Sequence, residues 1–280
     1  CQLVVDEGVN WLEKQTTGHP DQPFFMYLAF HEPHEPVASP LELVEKYSAV
    51  SVEPDQAQFF ANVHNVDLAV GRLLGKLNKL NVRENTLIVF TSDQGFAWGQ
   101  HGFHTKLAPY DANIRSPLIV SMPSQLPTGK VVPHPVAGVD LIPTFFRFAN
   151  IDLPWKMHGH DLTPLLKNPD SEWKHPALTS FTARSYGADT NQVPADTTET
   201  NINGIPWYFM LRENKYKYIR YTVEGETEEL YDLDADPEEL TNLAMQPELK
   251  DQLLAMRTAT IAELKRTGAG IVDNLPKVAG

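Results

Sequence analysis

The most informative part of this sequence is TLIVFTSDQGFAWGQHGFHTKLAPYDANIRSP, residues 86–117. It begins with an apolar run rich in β-branched side chains, residues 87–90, which predicts a buried strand. The run ends at Asp93 and Gln94, and a loop with three glycines then leads to Lys106. Because open α/β sheets bind their ligands outside the carboxyl ends of the strands, this loop is the candidate functional site.

Segments on both sides of this stretch repeat the pattern of strand and helix. Continuous apolar runs at residues 23–30 and 116–122 predict two more buried strands. Apolar residues recur at helical spacing over residues 56–80, which predicts a long amphipathic helix, and residues 139–148 predict a shorter one. Together these elements predict an α/β fold with a mainly parallel sheet sandwiched by helices.

The sequence changes character after a polar segment at residues 182–204, which predicts a loop or a boundary. Beyond it the pattern predicts short antiparallel strands, at residues 207–211, 216–221 and 229–233. A last helix is expected to end at Gly268. We therefore expect two domains, residues 1–200 for the α/β part and residues 201–280 for a small antiparallel sheet covered by a helix.

The composition limits the partners that this chain can bind. A formal net charge of −13 argues against a nucleic-acid or anionic-membrane surface. No apolar stretch is long enough to span a bilayer, and the single cysteine, Cys1, excludes an internal disulfide. The first residues have helical spacing without a preceding cap, so we expect that an upstream portion is missing.

Asp93 and Gln94 are candidate metal ligands. Carboxylate and amide oxygens are hard donors, which suit calcium or magnesium rather than zinc. Taken alone, the sequence Ser-Asp-Gln-Gly is more typical of a turn at the end of a strand. Calcium takes about six to eight oxygen ligands, so the others must come from elsewhere in the fold.

Lys106 and two pairs of histidines are candidate substrate-binding groups. A lysine on a glycine-rich loop beside a metal can neutralise a bound oxyanion, although most lysines are simply solvated. His31 and His34 follow another apolar run and can donate to an oxyanion or protonate a leaving oxygen, whereas a lone histidine would more often cap the strand. His101 and His104 lack a third ligand for zinc, which leaves substrate contacts or loop packing.

Six separated blocks of this sequence carry a resemblance to a known family. They are PFFMYLAFHEPHEP, NVDLAVGRLLGKL, TLIVFTSDQG with GQHGFHTK, YDANIRSPLIV, GVDLIPTFFRFANIDLP with HGHDLTPLL, and RENKYKYIRY with ELYDLDADPEELTNL. In this order they resemble the type I, formylglycine-dependent sulfatases of the alkaline phosphatase superfamily. The resemblance implies an alkaline-phosphatase-like fold and hydrolysis of a sulfate ester, with a sulfated carbohydrate as substrate.

The resemblance also implies roles for the candidate residues. Asp93 takes the place of a metal carboxylate, and Gln94 stands where asparagine is commonest, which keeps an amide oxygen and favours calcium over magnesium. Lys106 takes the place of the sulfate-binding lysine, and His31 that of the histidine on the sulfate or leaving group. The remaining histidines of these blocks become neighbours of the substrate: His34, His101 and His104.

The nucleophile motif of the family, Cys or Ser followed by x-Pro-x-Arg, does not occur in these 280 residues. The resemblance therefore implies that formylglycine and the remaining metal ligands belong to a missing N-terminal half, and that this chain alone is inactive. The alternatives are a phosphonate monoester or phosphodiester hydrolase of the same superfamily, and a non-catalytic sulfatase-like binding module. Family members are often exported, which implies a periplasmic or extracellular location.

Overall fold

The structure is a computed structural model that describes residues 1–196, 198–223 and 228–278. Two compact units make up the chain. Unit 1 comprises Cys1–Thr86 and Met122–Ser124, and unit 2 comprises Leu87–Ser121 and Gln125–Gly280. Among the described helices, none combines the length and the apolar character that a membrane crossing requires.

Unit 1 is built from helices. They are α1 (Gln2–Gly18), α2 (Leu41–Ser48) and α3 (Pro54–Lys79). α1 packs against α3, and both helices bury apolar side chains at helical spacing, among them Val5, Leu12 and Ala61. At the edge of this contact, the Lys76 ammonium of α3 lies 2.8 Å from the Glu13 carboxylate of α1. The long helix predicted over residues 56–80 is confirmed.

Residues 23–30 do not form the predicted buried strand. They belong to no strand of the part of unit 1 that the structure describes. Their side chains alternate: Leu28 lies against Gly8 of α1, whereas Phe25 and Tyr27 are 74% and 81% exposed. The run is apolar on both faces, as a strand buried in a parallel sheet would be, but only one of its faces is covered here.

Unit 2 begins within the stretch of residues 86–117. It forms β1 (Ile88–Thr91), β2 (Ala97–Trp98), β3 (His104–Thr105), the one-turn helix α4 (Asp111–Ile114) and β4 (Leu118–Ser121). β1 and β4 are antiparallel neighbours, with Ile88 opposite Ser121 and Thr91 opposite Leu118. Both strands predicted in this stretch are confirmed as strands, but they are not buried as expected, since Leu118 and Ile119 of β4 are 36% and 60% exposed.

Two short helices follow, α5 (Leu141–Ala149) and α6 (Thr163–Lys167). The buried Asp140 precedes α5, and its carboxylate accepts hydrogen bonds from the backbone N–H groups of Ala137 (2.8 Å) and His160 (2.7 Å). The Thr144 hydroxyl oxygen of α5 accepts a bond from the Leu162 N–H at 2.9 Å. These bonds tie the start of α5 to the segment that leads into α6.

The C-terminal part of unit 2 is an antiparallel sheet with a helix on one face. Its elements are β5 (Ala177–Phe181), β6 (Asn201–Ile202), β7 (Ile205–Pro206), β8 (Tyr208–Glu213), β9 (Tyr216–Tyr221), β10 (Glu229–Asp232) and α7 (Lys250–Arg266). The strand order is β10–β9–β8–β5, and β6 and β7 form a separate hairpin. Leu211, Tyr218 and Leu230 pack with Leu253 and Met256 of α7. The predicted hairpin, third strand and last helix are confirmed.

The pairing of the strands differs from the expectation in two ways. Every strand pair among the described residues is antiparallel, so the predicted parallel pairing is not found there. The expected parallel neighbours included residues 23–30, which form no strand. In addition, β5 pairs with β8, so the small sheet recruits a strand that precedes the expected domain boundary at residue 200.

We expect Leu211→Ala to lower the free energy of unfolding by about 2–5 kcal/mol, because a buried leucine is removed from the packed face of the sheet. Leu211 is fully buried, whereas Leu254 on α7 is 44% exposed and provides the control. Leu254→Ala is expected to change the stability by about 0.5 kcal/mol at most. Urea unfolding measures both values, and equal effects would contradict the packing of α7 on this face.

Candidate functional site

The segment of residues 92–95, here called the Asp93 turn, follows β1 directly. The Ser92 hydroxyl donates to Asp93 Oδ1 at 3.2 Å and to the carbonyl oxygen of Gln94 at 3.1 Å, and the Asp93 side chain is exposed. The Gly95 N–H donates to the carbonyl oxygen of Asn113 in α4 at 2.8 Å. A Cβ atom at Gly95 would lie 2.5 Å from the carbonyl oxygen of Ala112, so only glycine permits this approach.

Residues 99–110 form the lysine loop, and its backbone is strained on both sides of Lys106. Thr105 has φ 67° and Leu107 has φ 84°, although branched and bulky residues rarely adopt left-handed conformations. Each such residue costs about 1–3 kcal/mol and persists only where its surroundings hold it, which happens most often at functional sites. Lys106 therefore lies between two strained residues, and its role in substrate binding remains a prediction.

Two buried side chains hold this strained segment. The Asn113 side chain is fully buried and donates through Nδ2 to the carbonyl oxygen of Thr105 at 3.3 Å. The Tyr208 hydroxyl of β8 donates to the carbonyl oxygen of Leu107 at 2.9 Å. Because the Asn113 backbone also accepts from Gly95, this one residue links the Asp93 turn to the lysine loop.

His101 and His104 occupy different environments in the lysine loop. The His101 ring stacks on Tyr110, with ring centroids 3.7 Å apart, and its Nε2 lies 3.0 Å from the carbonyl oxygen of Glu238. His104 is exposed and lies opposite Trp98 in the pairing of β2 with β3. These contacts give His101 the role of loop packing, and they leave the role of His104 in substrate binding as a prediction.

His31 and His34 lie together in unit 1. Both side chains are exposed, and their ring centroids are 5.5 Å apart. The His34 N–H donates to the His31 carbonyl oxygen at 2.8 Å, and His34 Nδ1 lies 2.7 Å from the carbonyl oxygen of Glu35. The turn thus presents two imidazoles on one short segment, and their contacts with a substrate remain a prediction.

A group of tyrosines surrounds Glu229, and one of them, Tyr110, ends the lysine loop. Tyr110, Tyr221 and Tyr231 donate hydroxyl hydrogen bonds to the Glu229 carboxylate at 3.3, 3.0 and 2.7 Å. Burial, together with the negative charge of Glu229, raises the pKa of Tyr110 to about 12 and also raises the pKa values of Tyr221 and Tyr231. The tyrosines therefore remain protonated donors at neutral pH.

An ion cluster of Lys217, Asp111 and Glu239 lies next to these tyrosines. The fully buried Lys217 ammonium is 2.8 Å from Asp111 Oδ1 and 2.6 Å from Glu239 Oε1. Glu239 Oε2 accepts a hydrogen bond from the Asp111 N–H at 2.6 Å. Burial raises the pKa of Glu239, and the Lys217 charge offsets part of that rise. The Arg212 and Arg115 guanidinium groups lie 3.7 and 4.0 Å from Asp111 Oδ2, so three cations compensate the two carboxylates.

The sequence prediction did not include Asn113 or the ion cluster. Glu239 stands in a strongly acidic segment, where solvated side chains are the rule, yet it is only 2% exposed. The available signal was the position of Lys217 in the strand YKYIRY, between two aromatic residues. A charged residue between two aromatic residues of a strand can be predicted to be buried only when its partner of opposite charge is known.

The Asp93 turn contains two hard oxygen donors, which are fewer than a hard divalent cation needs. Among residues 1–196, 198–223 and 228–278, no group of three or more His, Cys, Asp or Glu side chains is placed to hold a metal ion. Asp93 and Gln94 provide one carboxylate and one amide. They therefore fit two positions of a larger oxygen shell.

Comparison with protein families identifies the class of this chain. The sulfatase family model matches residues 2–151, more than half of the 280 residues. A second family model, described as N-sulphoglucosamine sulphohydrolase, C-terminal, matches residues 99–267. The chain belongs to the sulfatase family, and membership implies a metal ion and a formylglycine in general.

The relatives are longer than this chain. An arylsulfatase of Clostridium perfringens is 25% identical over 306 aligned residues, which cover 96% of this chain and 59% of the relative. An ulvan-active sulfatase of Formosa agariphila is 30% identical, and the alignment covers 93% of this chain and 52% of that protein. The chain thus spans somewhat more than half the length of these curated relatives.

Solved structures have the same fold. The YidJ protein of Bacteroides fragilis superposes with a TM-score of 0.83 at 21% identity, covering 99% of this chain and 60% of that chain. A protein solved in complex with its substrate D-glucosamine-2-N,6-O-disulfate gives a TM-score of 0.61 at 26% identity, covering 81% of this chain and 46% of that chain. The predicted alkaline-phosphatase-like fold is confirmed by these neighbours.

We expect Gly95→Ala to lower the free energy of unfolding by about 1–3 kcal/mol, because the added methyl group overlaps the backbone of α4. Gly71→Ala is the matched control, since a Cβ atom there meets nothing within 4 Å. Alanine is the better helix former, so Gly71→Ala should add about 0.5–1 kcal/mol of stability. Urea unfolding measures both, and a Gly95→Ala variant as stable as the parent would contradict the close approach.

Proposed function

We propose that this chain is the metal- and lysine-bearing part of a sulfuric ester hydrolase that removes sulfate from a sulfated carbohydrate. Cleavage of a sulfate ester increases the negative charge on the sulfuryl group and on the leaving oxygen. Fixed cations and hydrogen-bond donors aimed at this charge lower the barrier most. Lys106 is the cation of this chain that we assign to the sulfate oxygens.

The observation that carries the proposal is the link that Asn113 makes between the Asp93 turn and the lysine loop. The Asn113 carbonyl oxygen accepts a hydrogen bond from the Gly95 N–H, and its side chain donates to the Thr105 carbonyl oxygen. The segments that carry the Asp93 carboxylate and the Lys106 ammonium therefore share one buried support. Both segments lie in residues 2–151, which match the sulfatase family model. A surface turn and a solvated lysine would not need such a support.

The metal that best fits the Asp93 turn is calcium, with magnesium as the second choice. Asp93 and Gln94 would each give one oxygen to the cation. When bound, the cation supplies charge that polarises the sulfate oxygens. Both ligands follow β1 directly, so the ladder between β1 and β4 fixes the position of the backbone that carries them.

The histidines complete the proposed roles. His31 donates a proton or a hydrogen bond to the sulfate or to the leaving oxygen. The exposed His34 lies beside His31 on the same turn. His104 contacts the substrate from the lysine loop. His101 supports the loop, because its ring is already stacked on Tyr110.

The nucleophile comes, in this proposal, from a segment outside these 280 residues. The motif that is converted to formylglycine is absent from this sequence, and the relatives are almost twice as long. We propose that the N-terminal half of the same protein supplies this group and the other metal ligands, and that the protein is exported. The upstream coding sequence tests this directly, because absence of both the modifiable motif and a pair of aspartates contradicts the assignment.

The carbohydrate substrate is supported by two relatives. One is described as ulvan-active, and the structure with D-glucosamine-2-N,6-O-disulfate holds a sulfated amino sugar. Turnover of a sulfated sugar and of an aryl sulfate by the complete protein, compared with turnover of an aryl phosphodiester, tests the reaction class. A clear preference for the phosphodiester would favour a phosphonate or phosphodiester hydrolase instead, and no turnover would favour a binding module.

We expect Lys106→Ala in the complete protein to lower kcat by about 10²–10³-fold, because a donor to the developing charge is lost. The exposed Lys130 lies outside the lysine loop, and Lys130→Ala is the control with the same change in net charge. Steady-state kinetics with a sulfate ester gives both values. Near-normal turnover of Lys106→Ala would show that the lysine is misassigned.

We expect Asp93→Asn to weaken calcium binding, because a neutral amide replaces an anionic ligand at nearly the same size. Isothermal titration of calcium into the metal-free complete protein measures the change. Asp189→Asn is the control, since it removes one carboxylate from another loop of unit 2. Equal calcium affinities of the Asp93→Asn variant and the parent would remove Asp93 from the metal shell.

A further inference from the structure

We propose that the ion cluster of Lys217, Asp111 and Glu239 is a positioning device for Lys106. The inference rests on the proposed function for its catalytic consequence, but its structural content is independent of the reaction. The cluster contacts the chain just beyond the end of the lysine loop, and its members are positioning residues that act through the backbone of that loop.

The ion cluster is not a surface salt bridge, because Lys217 is fully buried and Glu239 is 2% exposed. A buried ammonium is strongly unfavourable unless carboxylates of good geometry surround it. Here the Lys217 Nζ lies within 2.8 Å of both Asp111 and Glu239. Because the buried ammonium needs both counter-charges, the two carboxylates are held in fixed positions.

Both ends of the lysine loop are fixed by one turn that contains Glu238 and Glu239. At one end, His101 Nε2 lies 3.0 Å from the Glu238 carbonyl oxygen. Just beyond the other end, the Asp111 N–H donates to the Glu239 carboxylate at 2.6 Å. The turn itself is held because the Glu239 N–H donates to the Asp236 carbonyl oxygen at 3.1 Å. Its geometry is thus transmitted to both ends of the loop.

The middle of the loop needs this support. Thr105 and Leu107 hold left-handed backbone conformations on either side of Lys106. A loop released at its ends would relax toward ordinary conformations and carry the Lys106 side chain with it. Asp111 is also the first residue of α4, which contains Asn113, so a shift of Asp111 moves the contact with Thr105 as well.

A second buried ion pair in unit 2 offers a matched control. The Arg257 Nε of α7 donates to both oxygens of Glu228 at 2.9 Å, and Glu228 is 6% exposed. Like the ion cluster, this pair joins two separate segments of unit 2, here α7 and the residue that precedes β10. The Glu228 carboxylate also accepts a hydrogen bond from the Tyr218 hydroxyl. None of the contacts that the structure describes for Arg257 reaches the lysine loop.

Hydrogen exchange in the complete protein separates positioning from general stabilisation. We expect Lys217→Met to accelerate exchange of the amides at residues 99–110 by about tenfold or more, because two carboxylates lose their buried counter-charge. Arg257→Met should lower the global stability but leave exchange at residues 99–110 unchanged. Equal acceleration in both variants, or none in Lys217→Met, would overturn the proposal.

Glu239→Gln provides a second variant if Lys217→Met does not fold. The glutamine keeps an oxygen for the Asp111 N–H and keeps the size of the side chain, but it removes one charge next to Lys217. We expect the same local acceleration at residues 99–110. Retention of the parent exchange pattern in Glu239→Gln, with Lys217→Met unfolded, would reduce the cluster to a stabilising role and overturn the proposal.

Kinetics adds the catalytic part of the inference. Displacement of a catalytic group by about 1 Å can cost about 10²-fold, so we expect Lys217→Met or Glu239→Gln to lower kcat by about 10–10²-fold with a smaller change in KM. Arg257→Met should retain the parent kcat at temperatures where it is folded. A parent protein without sulfatase activity would refute the proposed function, and the exchange result would still decide whether the cluster positions the loop.

Discussion

The structure of unit 2 depends on one constraint, the burial of the Lys217 ammonium. This side chain is fully enclosed, and it lies 106 residues after Asp111, its first partner in the chain. Breaking a buried pair by removing one partner costs about 3–5 kcal/mol, which is a large part of the stability of a domain. The sheet can therefore form in this way only if α4 and the turn at Glu239 are brought to the same point.

This constraint explains how a strained loop persists. Two left-handed residues beside Lys106 together cost about 2–6 kcal/mol, at about 1–3 kcal/mol each. The hydrogen bonds from Asn113 and Tyr208 each contribute about 0.5–1.5 kcal/mol to stability, which offsets only part of that strain. The loop is also held at its ends, because the ion cluster fixes Asp111 just beyond one end and His101 at the other end stacks on Tyr110.

The sequence predicts the elements whose physics is local. β1, β4 and the strands of the C-terminal sheet are apolar or alternating runs, and they form where expected. The run at residues 23–30 has equally strong strand character, but its structure depends on which neighbours cover it, and sequence periodicity does not contain that information. Lys217 and Glu239 were missed for the same reason, since a charged side chain is read as solvated until its distant partner is known. Asp93 and Lys106 could be proposed from the sequence because a strand end and a glycine-rich loop are local signals, and their roles remain predictions.

The charge of the ion cluster also bears on anion binding. The chain carries a net charge of −13, so an anion that approaches it must be attracted by local cations rather than by the overall field. Asp111 directly follows the lysine loop, and an uncompensated carboxylate at that point would oppose the positive charge that the loop presents to an anion. The cations of Lys217, Arg212 and Arg115 all lie within 4.0 Å of Asp111, and Lys217 also pairs with Glu239. The two acids are thus compensated at close range, whereas unpaired acids at the end of the loop would work against the charge of Lys106.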